Sequence, residues 1–353
     1  MFKKAFEIEK EYFSTININD LFFDSLKNDY PGFVKWFNKK CNEHEDAYVQ
    51  YDENGNIIGF LYLKIENDIV DDVRPNIKAN KILKVGTFKI NSHGTRLGER
   101  FIKLILDYAI CENVDLCYVT AFKKHTGLIK LLKQFGFYQY GFKGSVSNSE
   151  FVLVKNMRRL SNNVNLDYPL INTINARKYL LSIYPLYHSA MFTDSILKTE
   201  DRSIIKDISY GNSIHKVYVC RMEVDSLKEG DILVLYRTAD YGKIAEYSSV
   251  ATSVCVVEEV KKQEDFNSFD DFYNYASQYS IFNKDDLLSW YNRGKCRTIK
   301  FTYNVALKKR ITRHDLIEKV GLSRNNYWGF LEIDDAQFDE IINLGNISDN
   351  LFI

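Results

Sequence analysis

The chain has 353 residues, 45% of them hydrophobic, and its 47 lysines and arginines balance 47 aspartates and glutamates. That length accommodates two ordinary domains with separate cores, and the lack of a long polar tract excludes a chain disordered throughout. Neutrality removes any global field toward nucleic acid or membrane, no apolar run reaches the roughly 18 residues of a membrane helix, and the first residues lack a signal-peptide pattern, so a cytoplasmic location is expected.

The six cysteines (Cys41, Cys111, Cys117, Cys220, Cys255 and Cys296) are dispersed without a Cys-x-x-Cys pair. They read as free thiols in a reducing compartment, and no metal is expected.

In chain order, residues 19–44 read as two helices broken at Tyr30-Pro31-Gly32, with Asn19 as N-cap and Phe22, Phe23, Leu26, Phe33, Trp36 and Phe37 as buried residues. Residues 47–51 and 57–65 alternate well enough for two strands, and Asp52-Glu53-Asn54-Gly55-Asn56 has hairpin chemistry. The acidic cluster 66–72 is followed by a stretch without acids up to Glu99, containing Arg74, Lys78, Lys81, Lys84, Lys89 and Arg96. It reads either as a solvated face or as lysines that meet phosphate.

Residues 81–90 (KILKVGTFKI) suit a mostly buried strand. Leu97, Phe101, Leu104, Ile105 and Tyr108 recur at helical spacing, so a helix opens near Gly94 to Gly98. A strand entering a glycine-bearing turn that opens a helix gathers free N–H groups and the positive dipole end, a place for an anion. A strand (residues 114–122), a helix opened by His125, and two strands at 138–140 and 151–154 follow.

The polar run 158–172 reads as a linker, dividing a first domain, 1–157, from a second, 173–353. In the second, strands are expected at 179–185, 217–222, 231–237, 248–259 and 296–307, with helices at 186–197, 266–276, 284–291 and 313–320. Short strands with inserted helices suggest a small mixed barrel with helical caps. From Arg293 to Arg313 there is no acid, while Arg293, Lys295, Arg297, Lys300, Lys308 and Arg310 accompany Trp290, Tyr291, Phe301 and Tyr303. This composition suits an RNA surface, and equally a strand that sends its rings to a core and its charges to water. Tyr327-Trp328 reads as a base pocket or as core.

Residues 81–137 resemble the core of the GCN5-related N-acetyltransferases (GNAT), whose acetyl-CoA loop pattern Arg/Gln-x-x-Gly-x-Gly/Ala falls on His93-Gly94-Thr95-Arg96-Leu97-Gly98, with the family's Gly-Phe at Gly136-Phe137. The resemblance covers residues 13–155. It implies an α/β (α+β) fold with a GNAT mixed sheet flanked by helices, and acetyl-CoA held by Phe88, Lys89, Ile90, His93, Gly94, Thr95, Arg96, Leu97, Gly98 and Glu99.

Two departures bear on catalysis. Leu132 stands where the family commonly has a general-acid Tyr, and His125 where it has Asn. His125 reads as a helix-end structural residue or as a proton carrier, and Tyr138 or Tyr140 as packing or as a substitute acid.

The second half is similar to the PUA-like group, which includes ASCH and EVE domains, through LLSIYPLYHSAMF, EGDILVLYRTAD and SSVATSVCVVEEV; Lys198 and Arg202 are the basic residues near the place of the ASCH signature. The resemblances together imply an N-acyltransferase directed to RNA or an RNA-associated amine, toxin-like members included. The alternative is a non-catalytic binding protein of the same fold. Expected partners are acetyl-CoA, RNA or an RNA-associated protein, and a second copy or an antitoxin-like protein.

Overall fold

The computed structural model describes residues 7–91, 95–145, 148–195, 197, 211 and 213–353. It divides into two units, Met1–Lys133 with Phe137–Met157, and Gln134–Gly136 with Arg158–Ile353.

The first unit contains strands β1 (Ile8–Tyr12), β2 (Asp46–Tyr51), β3 (Ile57–Val70), β4 (Ile77–Ile90), β5 (Leu116–Phe122), β6 (Tyr138–Ser145) and β7 (Asn148–Asn156). They form one sheet in the order β1-β2-β3-β4-β5-β7-β6. Helices α1 (Asp24–Asp29), α2 (Phe33–Asn42), α3 (Leu97–Cys111) and α4 (Thr126–Gln134) accompany it. Every strand pair is antiparallel except β4 with β5, which α3 connects as a crossover.

Local chemistry explains the elements. Asp52 accepts hydrogen bonds from the backbone N–H of Asn54 and Asn56, and Gly55 takes a positive φ of 81°, which sets the β2–β3 hairpin. Asp20 caps the first short turn by accepting from the Phe22 N–H, one residue beyond the expected Asn19. Along α3 the fully buried residues Phe101, Ile102, Ile105, Leu106 and Ala109 make one apolar stripe. The aromatic residues leading into and along α2 are mostly core: Phe13, Phe22, Phe23, Phe33 and Phe37 pack with Val49 and Phe60.

β3 and β4 run longer than their sequence suggests. The acidic stretch after Ile65 continues as strand because its backbone pairs with β4 out to Val70↔Ile77, and Val70, Val73 and Ile77 close a small core with Tyr118 and Val152. Charges on both exposed faces hide the alternation there.

The second unit contains β8 (Lys178–Ile183), β9 (His215–Cys220), β10 (Ile232–Arg237), β11 (Val250–Lys262), β12 (Arg297–Thr312) and β13 (Phe330–Ile333), ordered β13-β8-β10-β11-β12-β9. Its helices are α5 (Val164–Asp167), α6 (Pro185–Met191), α7 (Ala245–Ser248), α8 (Phe269–Ala276), α9 (Lys284–Asn292), α10 (Arg313–Glu318) and α11 (Asp335–Gly345). β8 and β10 are parallel, and three register shifts between β11 and β12 bend this long antiparallel pair. The expected small mixed barrel is this bulged six-stranded mixed sheet. Tyr179, Leu181, Leu233, Leu235, Ile299 and Phe301 lie in its core.

Residues 158–172, expected as a linker, fold as part of the second unit. Tyr168, Leu170 and Ile171 are buried, the Tyr168 hydroxyl donates to the Tyr303 carbonyl at 3.2 Å, and Ile171 bridges to Phe352. The Asn-rich composition serves capping instead, since Asn163 accepts from the N–H groups of Asn165 and Leu166. Among the described residues no helix is long and apolar enough to cross a membrane.

Candidate active site

Parallel β4 and β5 pair only from Ile82↔Leu116 to Val85↔Val119, although β4 continues to Ile90 and β5 to Phe122. Beyond that point β4 keeps its bonds to β3, and β5 keeps its bonds to β7. Each therefore turns one unshared edge toward a gap. Backbone groups left unpaired at the centre of a sheet need water or a ligand.

The divergence begins at a bulge. Tyr62 opposes Thr87 and Leu63 opposes Val85, leaving Gly86 unopposed. A Cβ on Gly86 would lie 2.7 Å from the Tyr62 ring, so the bulge at this contact needs glycine. Residues 85–90 of β4 and 119–122 of β5 line a cavity of about 1230 Å³, which also reaches α1, α2 and the start of α4.

Of the residues expected to hold acetyl-CoA, Phe88, Lys89, Ile90 and Gly98 line this cavity. Arg96 takes a left-handed φ of 52° at the entry to α3, where its side chain does not cap the helix, with Thr95 before it and Leu97 and Glu99 in the first turn. His93 and Gly94 lie outside the described residues. Gly98 has a packing role: a Cβ there would stand 2.7 Å from Leu131 Cδ2 on α4. Lys89 is engaged within the protein, donating to the Phe22 carbonyl and resting 4.5 Å over the Phe22 ring. Burial pushes its ammonium pKa down.

The groups able to move protons come from four elements. Tyr30, just after α1, donates to Glu150 Oε1 at 2.9 Å, and the Thr120 hydroxyl on β5 donates to the same oxygen at 3.3 Å. Burial first, then the Glu150 charge, raises the Tyr30 pKa, so the phenol stays protonated. Asp29 accepts from Lys124 and lies 3.4 Å from His125 Nε2. All six residues border the cavity.

His125 thus stands in the cavity wall, immediately before α4. Tyr138 does not: it is half-exposed on edge strand β6 and paired with Val154, because the alternation of that strand turns it away. Tyr140 donates to the Asn76 carbonyl. Leu132, where the resemblance implies a Tyr, is fully buried. Sequence reasoning missed Tyr30 and Glu150. Glu150 had a signal, as the one charged residue in register with Val152 and Val154 on β7; Tyr30 had only its place before Pro31-Gly32.

In the second unit, the basic aromatic stretch is largely consumed by structure. Phe301 and Tyr303 are core, and Trp290 and Tyr291 pack on Phe282 and Phe272. Arg297 holds Asp225 with two bonds, at 2.7 and 3.1 Å, and Lys300 holds buried Glu258 at 2.9 Å beside His215 at 2.7 Å. Arg310 donates to the carbonyls of Leu307, Thr252 and Asp194. Arg293, Lys295 and Lys308 are exposed.

Tyr327 is exposed, and Trp328 is buried under Arg313, whose guanidinium sits 4.3 Å from its ring. Lys198 and Arg202 lie outside the described residues. Glu246, His314 and Glu318 bring ligand-type atoms within 4.8 Å of one another, and Arg324 already spans the two carboxylates at 2.9 and 2.7 Å.

No family model and no curated protein matches the chain. It is similar to the solved structure of an ASCH protein from Zymomonas mobilis, with 9% identity over 47% of this chain and 94% of that one, TM-score 0.32. It is also similar to an IAA acetyltransferase from Bacillus cereus, with 15% identity over 42% and 99%, TM-score 0.31. A third is an N-acetyltransferase from Campylobacter jejuni, with 18% identity over 42% and 97%, TM-score 0.27.

Proposed function

We propose that the chain is an acetyl-CoA-dependent N-acyltransferase, and that its second unit recruits the acceptor, an RNA or an RNA-borne amine. The observation that carries the catalytic part is the gap between β4 and β5: two strand edges with peptide groups facing a large cavity at the mouth of a helix.

The donor set suits the group. Peptide edges at residues 86–90 and 120–122 would hold an amide-bearing arm, and the N-terminal turn of α3 at Arg96 to Gly98 would face its phosphates. Acetyl-CoA supplies an acetyl thioester there. Glu150, held by Tyr30 and Thr120, accepts the proton shed by an attacking amine, and the cavity walls orient the two reactants. For the second unit, exposed Arg293, Lys295 and Lys308 support contact with phosphate, while the pairing of Arg297 and Lys300 narrows that surface.

The test is release of CoA thiol from acetyl-CoA, with spermidine, a lysine-bearing peptide or an aminoacyl-tRNA mixture as acceptor. The reading expects acceptor-dependent release, strongest with aminoacyl-tRNA. Release with none of the three would contradict it.

A further inference from the structure

We infer that Tyr30 and Glu150 form a closed proton relay in which Glu150 is the base toward the amine and Tyr30 the acid toward the leaving sulfur; the inference rests on the acyltransferase reading. It assigns the acid role to a residue entering from the α1–α2 connection, in place of the position filled by Leu132.

Four observations support it. Tyr30 and Glu150 border the same cavity as the open edges of β4 and β5. Their side chains share a 2.9 Å hydrogen bond in which the phenol is the donor, and Thr120, on the open part of β5, fixes the same carboxylate oxygen. The Tyr30 ring is also held in place, 5.2 Å from that of Phe122 at the end of β5. Leu132 is fully buried and has no proton to give.

The relay balances. Glu150 takes the proton that the amine loses as the C–N bond forms. Tyr30 gives its own proton to the sulfur, which leaves with the electron pair of the broken C–S bond. Glu150 then returns its proton to the Tyr30 oxygen along their hydrogen bond. The net change moves one proton from amine to thiol, and both side chains end as they began.

The test measures kcat for wild type, Tyr30→Phe, Glu150→Gln and the double variant, with acetyl-CoA and the three acceptors above. Each single variant should lose on the order of 100-fold in kcat, within the range for general acid–base catalysis, while the acetyl-CoA Kd stays within about twofold. The double variant should fall little further, because the two groups act as a unit.

A second donor separates proton delivery from positioning. The acetyl thioester of para-nitrothiophenol expels a thiolate that needs no proton, so the ratio of wild type to Tyr30→Phe should approach one. Equal loss with both donors would make Tyr30 a positioning residue and overturn the relay. Tyr30→Phe within about threefold of wild type on acetyl-CoA would also overturn it and leave the acyltransferase reading standing. A wild type that releases no thiol with any acceptor would overturn both.

Discussion

Past Val85 and Val119, β4 and β5 separate, whereas β12 is paired on both edges, to β11 and to β9, from Arg297 to Thr302. Both regions place lysines beside aromatic rings, and both read from composition as ligand surfaces. In the second unit, pairing on both edges from Arg297 to Thr302 fixes the alternation there, so Ile299, Phe301 and Tyr303 enter the core and Lys300, on the opposite face, meets Glu258. In the first, a bulge at Gly86 breaks the regularity and leaves peptide groups facing open space. Residue types name the chemistry available; register decides whether the protein spends it on itself or leaves it for a ligand.

The largest effect that would sharpen this contrast is expected at Glu258. Its carboxylate is nearly inaccessible and pairs with Lys300 at 2.9 Å and His215 Nδ1 at 2.7 Å, so Glu258→Ala should destabilise the chain by about 3–5 kcal/mol in denaturant unfolding, leaving a half-buried ammonium and an imidazole without their shared acceptor. Burial pushes its pKa up, but His215 and Lys300 outweigh this and hold it low. A loss below about 1 kcal/mol would show that the basic stretch is not committed to structure.

Acid should reveal the second unit next. His188 is fully buried with Nε2 2.8 Å from the Thr252 hydroxyl, and burial first, then the charges of Arg237 and Arg310, pushes its pKa down to about 3. Unfolded, it titrates near 6.5. Below that value the unfolded chain binds the extra proton, so this contribution is complete above about pH 6.5 and declines toward pH 3, by at most about 1.4 kcal/mol per pH unit. His188→Asn should flatten the stability curve across that window; an unchanged slope would show that His188 is protonated in the fold.

A smaller effect tests the vacant acid position. Leu132→Tyr restores the residue that the family resemblance favours, but the site is closed, so overpacking should destabilise by about 1–3 kcal/mol. It should not raise turnover or rescue Tyr30→Phe. Rescue would place position 132 within reach of the leaving group.

Smallest of all, Lys308→Ala on the exposed part of β12 should change stability by no more than about 0.5 kcal/mol. If the second unit binds RNA, the same change should reduce the salt dependence of binding by about one phosphate contact, whereas Arg297→Ala, which breaks a pair with Asp225, should act mainly on stability.

How much was legible follows from the same physics. The periodicity of α3 and the hairpin chemistry at 52–56 are local, and both could be read from the residues. The extension of β3 through acidic residues could not, because only pairing with β4 holds it in place. Phe88, Lys89, Ile90 and His125 border the cavity, yet Lys89 is spent on Phe22. Tyr30 and Glu150 lie 120 residues apart and meet only once the sheet has formed, so no local pattern joins them.

The central claim, that the β4–β5 gap is a binding site for an acyl thioester, is best tested by titrating acetyl-CoA into wild type and Gly127→Trp in a calorimeter. Gly98 is a poor site for such a block because any side chain there strikes Leu131, whereas a Cβ on cavity-lining Gly127 meets nothing within 4 Å. The account predicts saturable binding to wild type and at least a tenfold weaker Kd for a Gly127→Trp protein of unchanged unfolding midpoint. Equal affinity for the two would contradict it, as would a wild type that takes up no acetyl-CoA.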